Sequence, residues 1–141
     1  MADYIDCKKG KIAMDFDQFI KAKNVRIKVD RISENPNVPD WRDATHYKCV
    51  LKNAGRQMTV YFSQGYGITE DPTAKSVLCC LQDDCCGYQN SDDFEGWCGD
   101  HGFDADSRKG ERLYKITKKQ AEACERFFGD SYENFLWNVS E

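Results

Sequence analysis

The fold of this chain is decided by one stretch, YKCVLKNAGRQMTVYF, which spans residues 47–62. Apolar side chains alternate with polar ones on both sides of Asn53-Ala-Gly55. The two apolar sets are Tyr47, Cys49 and Leu51, and then Met58, Val60 and Phe62. A period of two is typical of a strand with one buried face. Glycine in a short connection supplies the positive φ that hairpin turns need. The stretch therefore predicts a hairpin over residues 45–63 with a three-residue loop.

The same reasoning extends toward the amino terminus. Residues 25–30 again alternate between apolar and charged side chains, which predicts a further strand. Before it, residues 16–23 place phenylalanine and isoleucine at helical spacing, and Asp15 with Gln18 has the spacing of a capping box. We expect a short helix there that ends at Asn24.

From residue 71 onward the apolar pattern becomes helical. One helix is expected to begin at Asp71-Pro72 and end at Gly87, and the next to begin at Ser91 or Asp92 and end at Gly99 and Gly102. The longest is expected to begin at Asp106 or Ser107 and end at Phe128. A last short helix is expected to follow, capped by Asp130 together with Glu133. Strands followed by helices predict an α+β fold, a small antiparallel sheet of about three strands packed against a carboxyl-terminal group of helices. We expect one domain over 1–141, strand-rich over 1–70 and helical over 71–141.

Composition limits the classes of protein to consider. The chain has 141 residues, 40% of them hydrophobic, which is enough for one packed domain. No stretch approaches the roughly 18 apolar residues of a membrane span, and the start lacks the apolar segment of a secretory signal. We expect a cytoplasmic protein in a bacterial host cell, without membrane contact. In that reducing compartment the eight cysteines are expected to be thiols.

The cysteines and histidines allow two functional interpretations, a zinc site and a catalytic pair. Cys79-Cys80 and Cys85-Cys86 invite a zinc interpretation, but adjacent residues on a helix point about 100° apart and do not converge on one ion. Cys98 and His101 have the spacing of a nucleophile with its base. Packing is the simpler role for all of them, and we expect Cys98 and its neighbour Trp97 to pack against the sheet. We therefore expect no catalytic residue, no metal and no cofactor.

Charge is strongly segregated along the chain. Residues 83–106 hold eight acidic side chains and no Lys or Arg, whereas residues 107–126 hold seven basic side chains against three acidic ones. The acidic candidates for partner binding are Asp83, Asp84, Asp92, Asp93, Glu95, Asp100, Asp104 and Asp106. Helix capping explains part of this set, because carboxylates are favoured near helix amino termini. It does not explain the missing cations, so we also consider a surface that meets a basic groove on a partner.

The following basic segment suggests a different function. Its candidate residues for nucleic-acid binding are Arg108, Lys109, Arg112, Lys115, Lys118 and Lys119, with Lys8, Lys9 and Lys11 as additional cations. Lysine and arginine clustered along a helix are typical of phosphate contacts. Direct nucleic-acid binding therefore stays open as the alternative.

Four runs resemble a family of small phage and prophage accessory proteins: VLCCLQD (77–83), DFEGWC (93–98), GFDADSRK (102–109) and FFG (127–129). The hairpin and the loop at 63–65 are similar to the same family, whereas the cysteine pairs depart from its pattern. The resemblance implies a mobile genetic element in a bacterium. It further implies an anti-defence role of the anti-CRISPR or anti-restriction kind, in which the partner is a host defence protein or ribonucleoprotein complex.

We predict that the purified protein holds no metal and no native disulfide, because six of its eight cysteines lie in predicted helices and the expected compartment is reducing. Elemental analysis after purification without added metal checks this directly. A content of about one zinc per chain would contradict the packing role of the thiols.

Overall fold

The structure, a computed structural model, describes residues 14–65 and 67–141, so the predicted cations Lys8, Lys9 and Lys11 lie outside the described residues. The fold is α+β, as the sequence predicts. In chain order the elements are β1 (Met14–Asp15), α1 (Phe16–Lys23), β2 (Arg26–Ile32), β3 (Ala44–Asn53), β4 (Arg56–Gly65), α2 (Ala74–Asn90), α3 (Phe94–His101), α4 (Arg108–Phe128), α5 (Tyr132–Trp137) and β5 (Val139–Ser140). A 3-10 turn, Gly129–Ser131, joins α4 to α5.

The antiparallel sheet has the strand order β2-β3-β4. The predicted hairpin is present, but its loop is shorter than expected. Asn53 pairs with Arg56, which leaves only Ala54 and Gly55 in the turn. Both turn residues have positive φ, 48° and 80°, the backbone of the two-residue turn whose twist matches that of the strands. A positive φ at Ala54 cannot be inferred from its residue type, which explains the wrong loop length.

Helix α1 confirms its predicted cap. The backbone N–H of Gln18 donates to the Asp15 carboxylate over 2.7 Å, and the Gln18 amide oxygen accepts from the Asp15 N–H over 3.0 Å. Asn24 ends the helix in the left-handed conformation. Ahead of α1, β1 pairs in parallel with β5, which lies at the other end of the described chain. Strands of two residues are too short to be recognised from the sequence pattern.

Helix α2 differs from the prediction at both ends. It is capped by Thr73, because the carboxylate of Asp71 is engaged elsewhere, with the guanidinium of Arg31 at 2.9 Å and the hydroxyl of Tyr47 at 3.1 Å. It also runs through Gly87 to Asn90. A Cβ at residue 87 would lie 3.7 Å from the His101 ring, so the position faces another helix.

The later helices follow the predicted order with shifted bounds. Asp93 caps α3, which ends at Gly102 in the left-handed conformation, and Ser107 caps α4, which ends at Gly129. The prediction for α5 is wrong in one respect: neither Asp130 nor any other side chain caps it, and the 3-10 turn leads directly into it.

The inner face of the sheet and the helices share one hydrophobic core. The sheet contributes Cys49 and Leu51, which are fully buried, while α2 contributes Leu78 and Cys85, and α4 contributes Cys124. No helix of the described part of the chain is long and apolar enough to cross a membrane.

Opposite effects are expected from two substitutions in the hairpin turn. Gly55→Ala should lower the free energy of unfolding by roughly 1–2 kcal/mol, since a Cβ there meets no atom within 4 Å and only backbone strain acts. Ala54→Gly should leave stability unchanged or raise it by up to about 1 kcal/mol, because it relieves the same strain. Urea unfolding of both variants measures this. A three-residue loop with Ala54 at negative φ would instead make Ala54→Gly destabilising.

Candidate partner-binding surfaces

The predicted acidic residues lie on α2, on α3 and in the connections that precede α3 and α4. We call this set the acidic surface: Asp83 and Asp84 on α2, Asp92 and Asp93 before α3, Glu95 and Asp100 on α3, and Asp104 and Asp106 before α4. All eight residues are exposed. Helix capping accounts for Asp93, whose carboxylate accepts from the N–H of Gly96 over 2.8 Å. Asp106, by contrast, leaves the capping of α4 to Ser107.

Contacts between the helices hold this region together. The Gln120 amide donates to the Asp84 carboxylate over 3.0 Å, which joins α2 to α4. The Ser91 hydroxyl donates to the Gly87 carbonyl of α2 over 2.9 Å and lies 3.5 Å from the Asp100 carboxylate of α3. These partners are neutral, so they fix positions without removing negative charge.

No cation of the described residues forms an ion pair with the acidic surface. Among the described residues, ion pairs within 4.0 Å join Lys28 to Asp30, Arg31 to Asp71 and Lys115 to Glu111, and no member of the acidic surface takes part. Eight exposed carboxylates without a described cationic partner create a negative potential that attracts basic groups from solution.

Asp84 has the most unusual environment of the eight. It is exposed, yet it lies at a concave site between α2, α3 and α4, where surrounding protein limits hydration of the charge. Desolvation raises the pKa of its carboxyl group, and the Gln120 hydrogen bond and the nearby His101 ring oppose that rise only in part. Its ionised form therefore destabilises the free protein.

Trp97 supports the acidic surface from beneath. It is 2% exposed, its ring stacks on His101 with centroids 4.3 Å apart, and it meets Tyr114 of α4 edge-on at 5.3 Å. The sequence favoured packing of Trp97 and Cys98 against the sheet. The ring contacts of Trp97 instead place it between α3 and α4, and neither residue belongs to the main core.

Helix α4 arranges most of its predicted cations on one side. Arg108, Arg112, Lys115 and Lys119 are spaced at i, i+4, i+7 and i+11, which aligns them along one stripe, and Lys109 and Lys118 flank it. We call these four the basic helix face. They border a shallow groove of about 510 Å³. Arg112 also donates to the backbone carbonyl of Asn37 over 2.7 Å, and Lys115 pairs with Glu111 at 3.2 Å.

Among the described residues, Cys80, Cys86 and Cys98 lack the lowered pKa of a reactive thiol. Burial, with Glu95 nearby, raises the pKa of the Cys98 thiol, and burial raises the pKa of Cys80 and of Cys86 to about 11. Such thiols stay protonated at neutral pH, which removes the nucleophile. His101 Nδ1 donates to the Trp97 carbonyl over 2.8 Å. Across residues 14–65 and 67–141, no group of three or more His, Cys, Asp or Glu could hold a metal ion.

One cluster near the sheet was not predicted. Ser63 of β4 joins the buried Asn35 and His46, with Asn35 Nδ2 at 2.8 Å and His46 Nδ1 at 2.7 Å from its hydroxyl. This network holds the loop between β2 and β3 against the sheet. The same loop presents Trp41, which is 42% exposed. In the sequence, the signal that could have identified this residue is an apolar indole side chain within a polar segment that contains prolines.

Comparisons of the chain with protein-family models, with curated proteins and with solved structures found no match. The resemblance to phage and prophage proteins therefore stays a prediction from the four sequence runs.

Asp84→Asn should raise the melting temperature at neutral pH. Its folded pKa is raised, so the charged form costs stability above the folded pKa, and this cost disappears as pH falls through the folded pKa toward the ordinary value of 3.8. Asn retains an acceptor for Gln120. Thermal melts from pH 7 to about pH 3 should show the gap between variant and parent closing as the solution becomes acidic. Glu122→Gln, an exposed change on α4, is the control, and an equal gap at every pH would contradict the desolvation argument.

Proposed function

We propose that this chain is a non-enzymatic accessory protein of a mobile genetic element that inhibits a host nucleic-acid-targeting defence effector. It would act by covering a basic surface on that effector, in the manner expected of an anti-CRISPR or anti-restriction protein. The observation that supports the proposal is the acidic surface, eight exposed carboxylates without a cationic partner among the described residues.

The chemistry of the partner follows from that charge. A groove that binds phosphates is lined by Lys and Arg, and a protein surface rich in carboxylates can occupy the same groove. The hydrogen bond from Gln120 limits the motion of the Asp84 side chain. Less conformational entropy is then lost when a partner binds.

The raised pKa values of the thiols favour binding over catalysis. A nucleophilic cysteine needs a lowered pKa, and Cys98 has the opposite shift next to a histidine that is already hydrogen-bonded. The acidic surface, in contrast, requires no reactive group to function.

A second candidate function is nucleic-acid binding through α4. The alignment of Arg108, Arg112, Lys115 and Lys119 along one groove favours it, since a stripe of cations can follow a phosphate backbone. Salt-dependent DNA binding by the pure protein, lost on substitution of these residues, would support this alternative.

The proposal predicts that Asp92→Asn, Asp93→Asn and Asp100→Asn together weaken partner binding without unfolding the protein. Asn caps a helix about as well as Asp, so the contact of residue 93 with Gly96 survives. Affinity capture from host lysate with mass spectrometry identifies the partner, and surface plasmon resonance then measures binding. The association rate should fall roughly three- to tenfold at low salt, and the difference should shrink at high salt.

The matched control removes three exposed carboxylates elsewhere, through Glu122→Gln, Glu125→Gln and Asp130→Asn. Its net charge equals that of the first variant, so it should bind nearly as the parent does if position matters. Equal losses in the two variants would mean that only net charge acts. Full binding by the first variant at low salt would remove the acidic surface from the interaction.

A further inference from the structure

The outer face of the three-stranded sheet gathers four cations. Its members follow from the register: Arg26 lies opposite Lys52, Lys28 opposite Val50, and Asp30 opposite Lys48. On the β4 side, Lys48 lies opposite Tyr61. Arg26, Lys28, Lys48 and Lys52 are all exposed, and we call them the basic sheet face. They border a shallow depression of about 410 Å³.

These cations are poorly compensated. Arg26 and Lys52 are like charges directly opposite each other, an arrangement that destabilises a sheet. Lys28 lies diagonal to both Lys48 and Lys52. Asp30 is the acidic residue on this face, and its one ion pair among the described residues is with Lys28 at 3.8 Å. Four positive charges and one negative charge give this face a net positive charge, which attracts an anionic ligand.

The arrangement of charge fits an extended polyanion. Side chains two residues apart on a strand are separated by about 7 Å and those four apart by about 13 Å, so Arg26 with Lys28, and Lys48 with Lys52, form two roughly parallel rows. The four cations are exposed, and the main hydrophobic core lies on the opposite side of the sheet. An extended strand of phosphates can therefore lie along the rows.

Aromatic side chains lie at one end of the same face. Tyr61 is partly exposed opposite Lys48, and Trp41 is exposed beside His46, with ring centroids 6.5 Å apart. Bases of a single strand are free to stack on aromatic rings, whereas bases within a duplex are not. Cations together with aromatic rings favour a single-stranded nucleic acid over an acidic protein.

We propose that the basic sheet face binds single-stranded nucleic acid, with Arg26, Lys28, Lys48 and Lys52 contacting phosphates and Tyr61 and Trp41 stacking on bases. This site lies on β2, β3 and β4. Its four cations line a depression of their own, whereas Trp41 and Tyr61 border a neighbouring concave site that Asp84 also borders, and Trp41 lies near Arg112 of the basic helix face. The proposal does not depend on the function proposed above.

The test is fluorescence anisotropy of a labelled oligothymidine of about 12 nucleotides, titrated with the full chain over a range of salt. The sheet variant carries Arg26→Gln, Lys28→Gln and Lys52→Gln. Its affinity should fall at least about tenfold at low salt, and the slope of log affinity against log salt should flatten by about 2, since each phosphate contact in a single strand contributes roughly 0.7. Tyr61→Leu should weaken binding about fivefold or more, whereas Tyr61→Phe should retain it.

The control carries Lys21→Gln, Lys23→Gln and Arg126→Gln, which removes the same charge from residues outside both basic faces and should bind nearly as the parent does. A third variant, with Arg108→Gln, Lys115→Gln and Lys119→Gln on α4, tests the basic helix face. Circular dichroism shows whether each variant is folded. Loss of binding in the α4 variant but not in the sheet variant would overturn the proposal, as would tighter binding to a duplex of equal length. So would a parent that does not bind at about 50 mM salt. Self-association at low salt that the sheet variant abolishes, with oligonucleotide binding unaffected, would identify a second copy as the occupant.

Discussion

Three aromatic rings, Phe19, Phe128 and Phe135, hold the described structure together. Phe128 stacks on Phe135 with centroids 4.4 Å apart, and Phe19 lies 5.5 Å from the first and 5.7 Å from the second. The rings come from α1, α4 and α5, which are distant in sequence, and each is at most 3% exposed. Their contact fixes α4 relative to the rest of the core. Through Tyr114 and Trp97, α4 in turn fixes α3, so the position of the acidic surface depends on this cluster.

A stable core allows charge to be arranged for purposes other than stability. Carboxylates concentrate on α2 and α3, and cations concentrate on α4 and on the outer face of the sheet. The net charge of −4 hides this division, because opposite regions cancel in the sum. Asp84 and the opposed Arg26 and Lys52 both cost stability in the free protein. Such costs are expected where a surface is shaped for a charged ligand.

Local signals in the sequence predicted much of the fold. The alternation around Leu51, the capping box at Asp15 and the glycine at 129 each depend on nearby residues alone, and each corresponds to an observed element. The extension of α2 through Gly87 and the pairing of β1 with β5 depend on distant residues instead. No local pattern reports contacts of that kind.

The candidate surfaces also differ in whether they depend on residues close in sequence or on distant ones. The acidic surface is visible in sequence because its residues fall within one segment, 83–106, and charged side chains are rarely buried. The basic sheet face is not visible, because Arg26 and Lys52 become neighbours only through the register of β2 on β3. The alternation identifies which side chains share a face within one strand, but the pairing decides which cations face each other.

The most direct measurement of the central claim is zero-length carbodiimide cross-linking of the protein with its partner in host lysate. The reagent joins carboxylates to lysines in direct contact, and mass spectrometry identifies the linked residues. The account predicts links from Asp83, Asp84, Asp92, Asp93, Glu95, Asp100, Asp104 or Asp106 to lysines of the partner. Links confined to Lys115, Lys118 or Lys119 and carboxylates of the partner would contradict it, because the partner would then contact the basic helix rather than the acidic surface.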